Sequence, residues 1–252
     1  GAAKKQRQTQ AQAQAQAQSK NKSDFGSSLI FYARDRVGYG LLCRLITESY
    51  RDQPKGEARL TWKALERLCL EEFYDASLGL ICVPRLMEED PQVKRGFHWD
   101  LLRELFQGRL YLPLGRFLDG KDAIRTDFIL GLSRKWNLPV FATNDVAYHS
   151  KERRRLHDVL SCIREGVSLS EAGSLLHSNA ERYLKSHVHM KELFSDLPKA
   201  LEKTQSIVEA CAFELSELRY QYPTEWVPKG MSSDAYLEQK VWEGAQRRYP
   251  RS

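Results

Sequence analysis

The chain has 252 residues, 42% of them hydrophobic and 29% charged, which is enough apolar material for one or two ordinary soluble cores. No apolar run approaches the roughly 20 residues that span a bilayer, and the start of the chain carries no apolar segment of the signal-peptide kind; this excludes a membrane helix and sets the expectation of a cytoplasmic protein. The formal charge of +6 concentrates at the start, where Lys4, Lys5, Arg7, Lys20 and Lys22 face Asp24 alone, so the rest of the chain carries only +2 and its net charge does not argue for nucleic acid.

Residues 1–28 are low-complexity, an alternating Gln-Ala run from Gln8 to Gln18 between lysines. So few apolar side chains cannot offset the entropy of ordering them, and the segment reads as a disordered tail or insert. From Leu29 the pattern changes. Leu29 to Ala33 is a short apolar run of buried-strand type, and Val37, Leu41, Leu42, Leu45 and Ile46 recur at helical spacing over about 36–50. A polar loop with Pro54 and Gly56 follows. Thr61 then caps a predicted helix running to about Tyr74.

Leu78 to Val83 reads as a strand, Asp100 as the cap of a helix over 101–107, and Gly108 as its left-handed end. Leu110 to Leu114 is a strand. Asp122 to Trp136 is a helix with Ala123, Ile124, Phe128, Ile129 and Leu132 on one face, and Pro139 to Thr143 is a strand. This alternation predicts an α/β fold with a parallel sheet, as a layer or a barrel. Beyond His149 the pattern is helical: Arg153 to Arg164, a turn opened by the capping box Ser168 to Glu171, Met190 to Ser195, and Pro198 to Phe213. Tyr220 to Pro228 reads as an extended linker, and Ser233 to Arg248 as a last helix.

The five cysteines, Cys43, Cys69, Cys82, Cys162 and Cys211, are widely spaced, form no Cys-x-x-Cys pair and sit beside aliphatic residues. They read as small core residues in a reducing compartment rather than as zinc ligands or disulfides. The densest basic run, Lys151 to Arg155, reads as a solvated helix start; Arg153, Arg154 and Arg155 are also candidates for a nucleic-acid or interdomain contact. His177, His187 and His189 read as a chance cluster. Tyr220, Tyr222 and Trp226, set among prolines, read as pinning a linker, with a stacking platform for single strands as the functional alternative.

The most pointed segment is Phe141-Ala-Thr-Asn-Asp-Val-Ala-Tyr-His149. A carboxylate just past the end of a buried parallel strand stands where α/β folds place metal-binding and catalytic groups; on composition alone Asp145 reads rather as a loop cap. The segment resembles the last metal motif of the polymerase-and-histidinol-phosphatase (PHP) domain in bacterial C-family DNA polymerases, whose Asp and a His two residues on are ligands. Ala33 to Tyr39 with Leu42 to Thr47, Gly79-Leu80-Ile81 and His157 to Gly166 resemble further segments of that domain, in order. Asn179 to Ser186 and Trp242 to Pro250 point to the error-prone branch.

The resemblance implies a partial PHP-type (β/α) barrel or layer over 29–165, an all-helical connector over 166–225, and over 226–252 a linker with the start of the palm or thumb region. It implies a parent DNA polymerase, a nucleotidyltransferase acting in replication, repair and translesion synthesis. That enzyme works on template-primer DNA and deoxynucleoside triphosphates, with damage-response accessory proteins and the sliding clamp as partners. Mg2+ would serve catalytic carboxylates lying outside this segment. At the PHP site only Asp145 maps onto a ligand position. Its partner position holds Ala147, the family's Ser-Gly-Cys ligands correspond to Pro84-Arg85-Leu86, and its His-x-His motif has no counterpart here, so PHP metals are expected to be absent. The expectation is a scaffold segment without the polymerase active site. The alternatives are a stand-alone metal-dependent PHP phosphoesterase and a non-catalytic scaffold remnant.

Overall fold

A computed structural model of the chain describes residues 28–86, 97–219 and 227–250. The low-complexity expectation for 1–28 and the aromatic group Tyr220, Tyr222 and Trp226 fall outside the described residues, except for Ser28. The chain divides into two compact units, Gly1–Phe213 and Glu214–Ser252.

In the first unit, strand β1 (Leu29–Ala33) leads into helix α1 (Arg36–Tyr50), whose N-terminus is capped by Asp35 accepting the Gly38 N–H at 2.7 Å. The helix expected from Thr61 to Tyr74 is broken into three. Thr61 does cap α2 (Trp62–Glu66), but Arg67–Glu72 is wound as a π-helical turn, Phe73 leaves the helical region, and α3 (Tyr74–Ser77) adds one turn. Arg67 reaches both Glu48 on α1 at 2.9 Å and Glu72, tying the wide turn to the neighbouring helix. Strand β2 (Leu80–Pro84) is buried throughout.

Helix α4 (Trp99–Leu105) starts before Asp100, which lies in its first turn; His98 occupies the cap without a side-chain bond. Strand β3 (Leu112–Gly115), helix α5 (Asp122–Trp136) and strand β4 (Val140–Thr143) follow, with Asn137 left-handed at the end of α5. A 3-10 turn over Lys151–Arg153 leads into α6 (Arg154–Glu165), which Gly166 ends in the left-handed region. Helices α7 (His187–Leu193, starting three residues before the expected Met190) and α8 (Pro198–Ala210) complete the unit. The Ser168–Glu171 pair closes only an isolated turn, through the Ser168 hydroxyl donating to the Glu171 carboxylate at 2.6 Å.

The architecture is mixed α/β, with one correction to the expected parallel layer. β3 and β4 pair parallel, Leu112 opposite Val140, but β1 and β2 pair antiparallel, Leu29 opposite Pro84. A single parallel bridge, Cys82 to Leu110, joins the two pairs, so the described residues form two small two-stranded sheets rather than a closed barrel. Both faces of β2 are covered, which explains its unbroken apolar sequence. Leu80 and Cys82 enter the main core with Leu41, Leu45, Leu102, Phe106 and Leu112; Ile81 and Val83 pack with Phe141 and Ile207 on the other side. Cys69, Cys82 and Cys162 are core residues as expected, whereas Cys43 is exposed because it falls on the outer face of α1.

The entry to α1 crosses the end of β2 at backbone distance. A Cβ on Gly38 would sit 2.0 Å from the Gly79 carbonyl oxygen, while Arg34 N donates to that same oxygen at 2.8 Å. We therefore expect Gly38→Ala to cost about 1–3 kcal/mol in urea unfolding, with an unchanged result counting against this close approach.

In the second unit, a 3-10 turn (Leu215–Glu217) precedes α9 (Ser233–Arg248), which begins where expected. Ser232 caps it by accepting the Ala235 N–H at 3.2 Å, and Lys240 pairs with Glu243 at 2.7 Å on its surface.

Candidate functional site

The polar groups of the first unit gather where β3 and β4 end. β3 delivers the turn Arg116–Asp119 and β4 delivers Asn144–Tyr148, side by side because the two strands are parallel and in register. A third segment, Asn179–Lys185, lies across both turns. Tyr148 and Tyr183 form a parallel bridge, Ala147 N donates to the Arg182 carbonyl at 2.9 Å, and Leu184 N donates to the Tyr148 carbonyl at 3.1 Å. On the β3 side, the Asn179 side-chain amide donates to the Phe117 carbonyl at 2.6 Å.

Asp145 sits at the crest of this arrangement with a positive φ of 40°, a conformation that Asp tolerates better than most residues. Its amide donates to the Thr143 hydroxyl at 3.3 Å, so the side chain that closes this turn is that of Thr143 rather than of Asp145. Its carboxylate is taken by Arg182, whose Nη1 donates to Oδ2. The Arg182 guanidinium also lies over the Phe117 ring, 3.9 Å from its centre, and Arg125 covers Phe117 as well, at 4.7 Å.

Next to it stands a second network. Lys185, with only 4% of its side chain exposed, pairs with Glu181 at 3.1 Å and donates to Asn144 Oδ1 at 3.1 Å; Lys151 reaches Glu181 at 2.9 Å. Burial lowers the Lys185 pKa, against the pull of Glu181. Burial also works to raise the Glu181 carboxyl, but the bonds from Lys151 and Lys185 outweigh it and hold the group below its ordinary value.

A third group links this clasp to α6. The Tyr148 hydroxyl donates to the Asn179 carbonyl at 3.3 Å, its ring meets His157 edge-on at 5.7 Å, and His157 stacks on His177 at 5.1 Å. Burial, and then the neighbouring Arg182 and His157, lower the His177 pKa. His177 is therefore set apart from His187 and His189, which lie on α7.

The sequence-derived residues thus land unevenly. Asp145 occupies the expected strand-end position. Ala147 offers no donor atom, and the described residues contain no group of three or more His, Cys, Asp or Glu side chains able to hold a metal. With the Asp145 carboxylate occupied by a guanidinium, the described residues do not fit a PHP metal cluster. Of the basic run, Arg153 and Arg155 are exposed, but Arg154 turns inward and donates to the His177 carbonyl at 2.6 Å. The residues missed in the sequence are the partners, Glu181, Arg182 and Lys185; their alternating charges were the available signal.

The class of molecule is therefore a mixed α/β protein whose strand-end site is closed by its own cations. No protein-family model matches the chain. It is 39% identical over 230 residues to an error-prone DNA polymerase of Caulobacter vibrioides, covering 90% of this chain and 20% of the relative. It is 36% identical over 226 residues to an error-prone DNA polymerase of Methylococcus capsulatus, covering 89% of this chain and 20% of the relative. It is 35% identical over 227 residues to error-prone DNA polymerase 1 of Agrobacterium fabrum, again covering 20% of that protein. The chain is homologous to one segment of the bacterial error-prone DNA polymerases, as the motifs implied, and spans about a fifth of the length of the curated relatives it matches.

Proposed function

We propose that this chain is the PHP-type scaffold segment of an error-prone DNA polymerase acting in replication and damage-induced translesion synthesis. On this reading residues 29–165 are the PHP part, 166–225 the helical connector, and 226–252 the linker into the polymerase region. The parent enzyme, a cytoplasmic nucleotidyltransferase, extends template-primer DNA from deoxynucleoside triphosphates. Its Mg2+ and catalytic carboxylates are supplied by parts of the polypeptide outside this segment, and accessory proteins of the damage response and the sliding clamp are its partners. No helix among the described residues is long and apolar enough to cross a membrane.

The observation that carries the scaffold reading is the Asp145–Arg182 pair. The one carboxylate at the PHP ligand position is neutralised from within the chain by a residue that also packs on Phe117. A strand-end carboxylate paired in this way favours support of neighbouring structure over metal binding.

Two measurements test the proposal. Replacing the matched segment of the Caulobacter polymerase with this chain is expected to preserve primer extension; a chimera that folds but does not extend primers would refute it. Titrating Mn2+ or Zn2+ into the isolated chain is expected to give no stoichiometric heat and no metal-stimulated hydrolysis of a phosphate ester. Turnover that disappears in Asp145→Ala would favour the phosphoesterase alternative instead.

A further inference from the structure

Helix α6 is inside out for a lone domain. Its inward face carries Arg154, His157, Asp158, Ser161 and Cys162, of which Ser161 and Cys162 are buried. Arg154 lies 3.5 Å from Asp158, and His157 packs on Tyr148 and His177. Its outward face carries Leu156, Val159, Leu160 and Ile163, exposed by 49%, 40%, 55% and 71%. That spacing is i, i+3, i+4, i+7, the stripe by which a helix ordinarily meets a packed surface. Here the polar side is used for internal packing and the aliphatic side is left in water, an arrangement a monomeric surface has no reason to hold.

The rim of the stripe is cationic. Arg153 and Arg155 stand at its N-terminal end, both exposed, and among the described residues neither has an ion-pair partner; Arg164 at the other end pairs with Glu165 at 3.1 Å. Two free cations alone would suit a DNA backbone. Four aliphatic side chains between the cations offer nothing to a phosphodiester and much to a protein surface.

We propose that the outer face of α6 is a docking surface for the remainder of the polymerase polypeptide, and that the element seated on it presents an apolar patch rimmed by Asp or Glu. The inference rests on the scaffold reading. About four-fifths of each relative lies outside the segment that matches this chain, so the covering element has ample polypeptide to come from. It gives Arg153 and Arg155 an interdomain role and leaves Arg154 to internal packing.

The test compares one double substitution in two settings. Leu160→Gln/Ile163→Gln changes side chains that are already in water in the isolated chain, so its thermal midpoint there is expected to stay within about 2 °C of the parent. In the full-length chimera with the Caulobacter polymerase, the same pair is expected to speed native-state proteolysis by about tenfold or more, because opening the interface exposes its linkers. Arg153→Gln/Arg155→Gln is expected to give a smaller acceleration that fades as salt is raised.

Equal proteolysis of parent and Gln variants in the chimera would overturn the docking surface while leaving the scaffold reading intact, provided that chimera still extends primers. A chimera that does not extend primers removes the scaffold reading and this inference with it. An isolated chain that runs as a dimer and becomes monomeric in the Leu160→Gln/Ile163→Gln variant would assign the face to a second copy. Weakened binding of a fluorescent duplex in the arginine variant, with proteolysis unchanged in both variants, would assign it to DNA.

Discussion

Arg125→Ala is expected to destabilise the first unit by about 3–5 kcal/mol, the range for removing one member of a buried ion pair. The Arg125 side chain is only 8% exposed and pairs with Asp119 at 2.9 Å and with Asp122. Asp122 in turn accepts the Phe117 and Leu118 N–H groups at 2.8 Å each, so the guanidinium holds together the whole turn leaving β3. Its loss leaves two half-buried carboxylates without the cation they share, and takes away one of the two guanidinium groups that cover Phe117. Urea unfolding at pH 7 measures the cost, and a change below about 1 kcal/mol would refute the assignment.

The pH dependence has a defined sign. Burial alone would raise the Asp119 carboxyl, but the Lys121 N–H and Arg125 hold it below its ordinary value. A carboxyl depressed in the folded state contributes stability above its unfolded pKa and loses it as pH falls through the folded one. The gap between parent and Arg125→Ala is therefore expected to narrow below about pH 4. Arg125→Lys should recover only part of the loss, since an ammonium cannot reproduce the fork that spans two carboxylates.

Arg125 also marks where sequence reasoning stops. The helix it belongs to was legible from end to end, 122–136, but its inward face was not. Counting apolar residues put Ala123 and Ile124 inside; the structure leaves Ile124 73% exposed and buries Arg125 instead. The charge spacing Asp119, Asp122, Arg125 was the available signal, and periodicity assigns such residues to solvent. Helices α1 and α9 fall where the sequence pattern places them, and the structure adds the caps, Asp35 and Ser232, that fix their starts. Strand direction was not legible. Leu29–Ala33 has the same apolar run whether β2 pairs parallel or antiparallel to it, and only the path of the long connection between them decides. At the site, the position of Asp145 followed from the strand that precedes it. The identity of its partner did not, because Arg182 lies 37 residues away and is brought in by the bridge between Tyr148 and Tyr183.

That bridge is held by the network with the second largest expected effect. Glu181→Gln is expected to cost about 3 kcal/mol, the lower end for a broken buried pair because the network reaches the surface at Lys151. Glutamine keeps the shape and one acceptor but removes the charge that lies between Lys185, 3.1 Å away, and Lys151, 2.9 Å away. Lys185 would then remain enclosed with Asn144 Oδ1 and the Glu181 carbonyl as its partners. The Glu181 carboxyl is depressed in the folded protein, so its contribution is present above an unfolded pKa of about 4.5 and lost as pH falls through the folded value. Parent and variant should therefore converge in acid and separate toward neutrality. Because the segment that Glu181 anchors also carries Arg182, loosening it frees the Asp145 carboxylate. Trypsin cleavage after Arg182 or Lys185 is expected to accelerate at pH 7 in the variant. Identical cleavage of the two proteins at pH 7 would mean that the clasp over β3 and β4 is held by its backbone bridge alone.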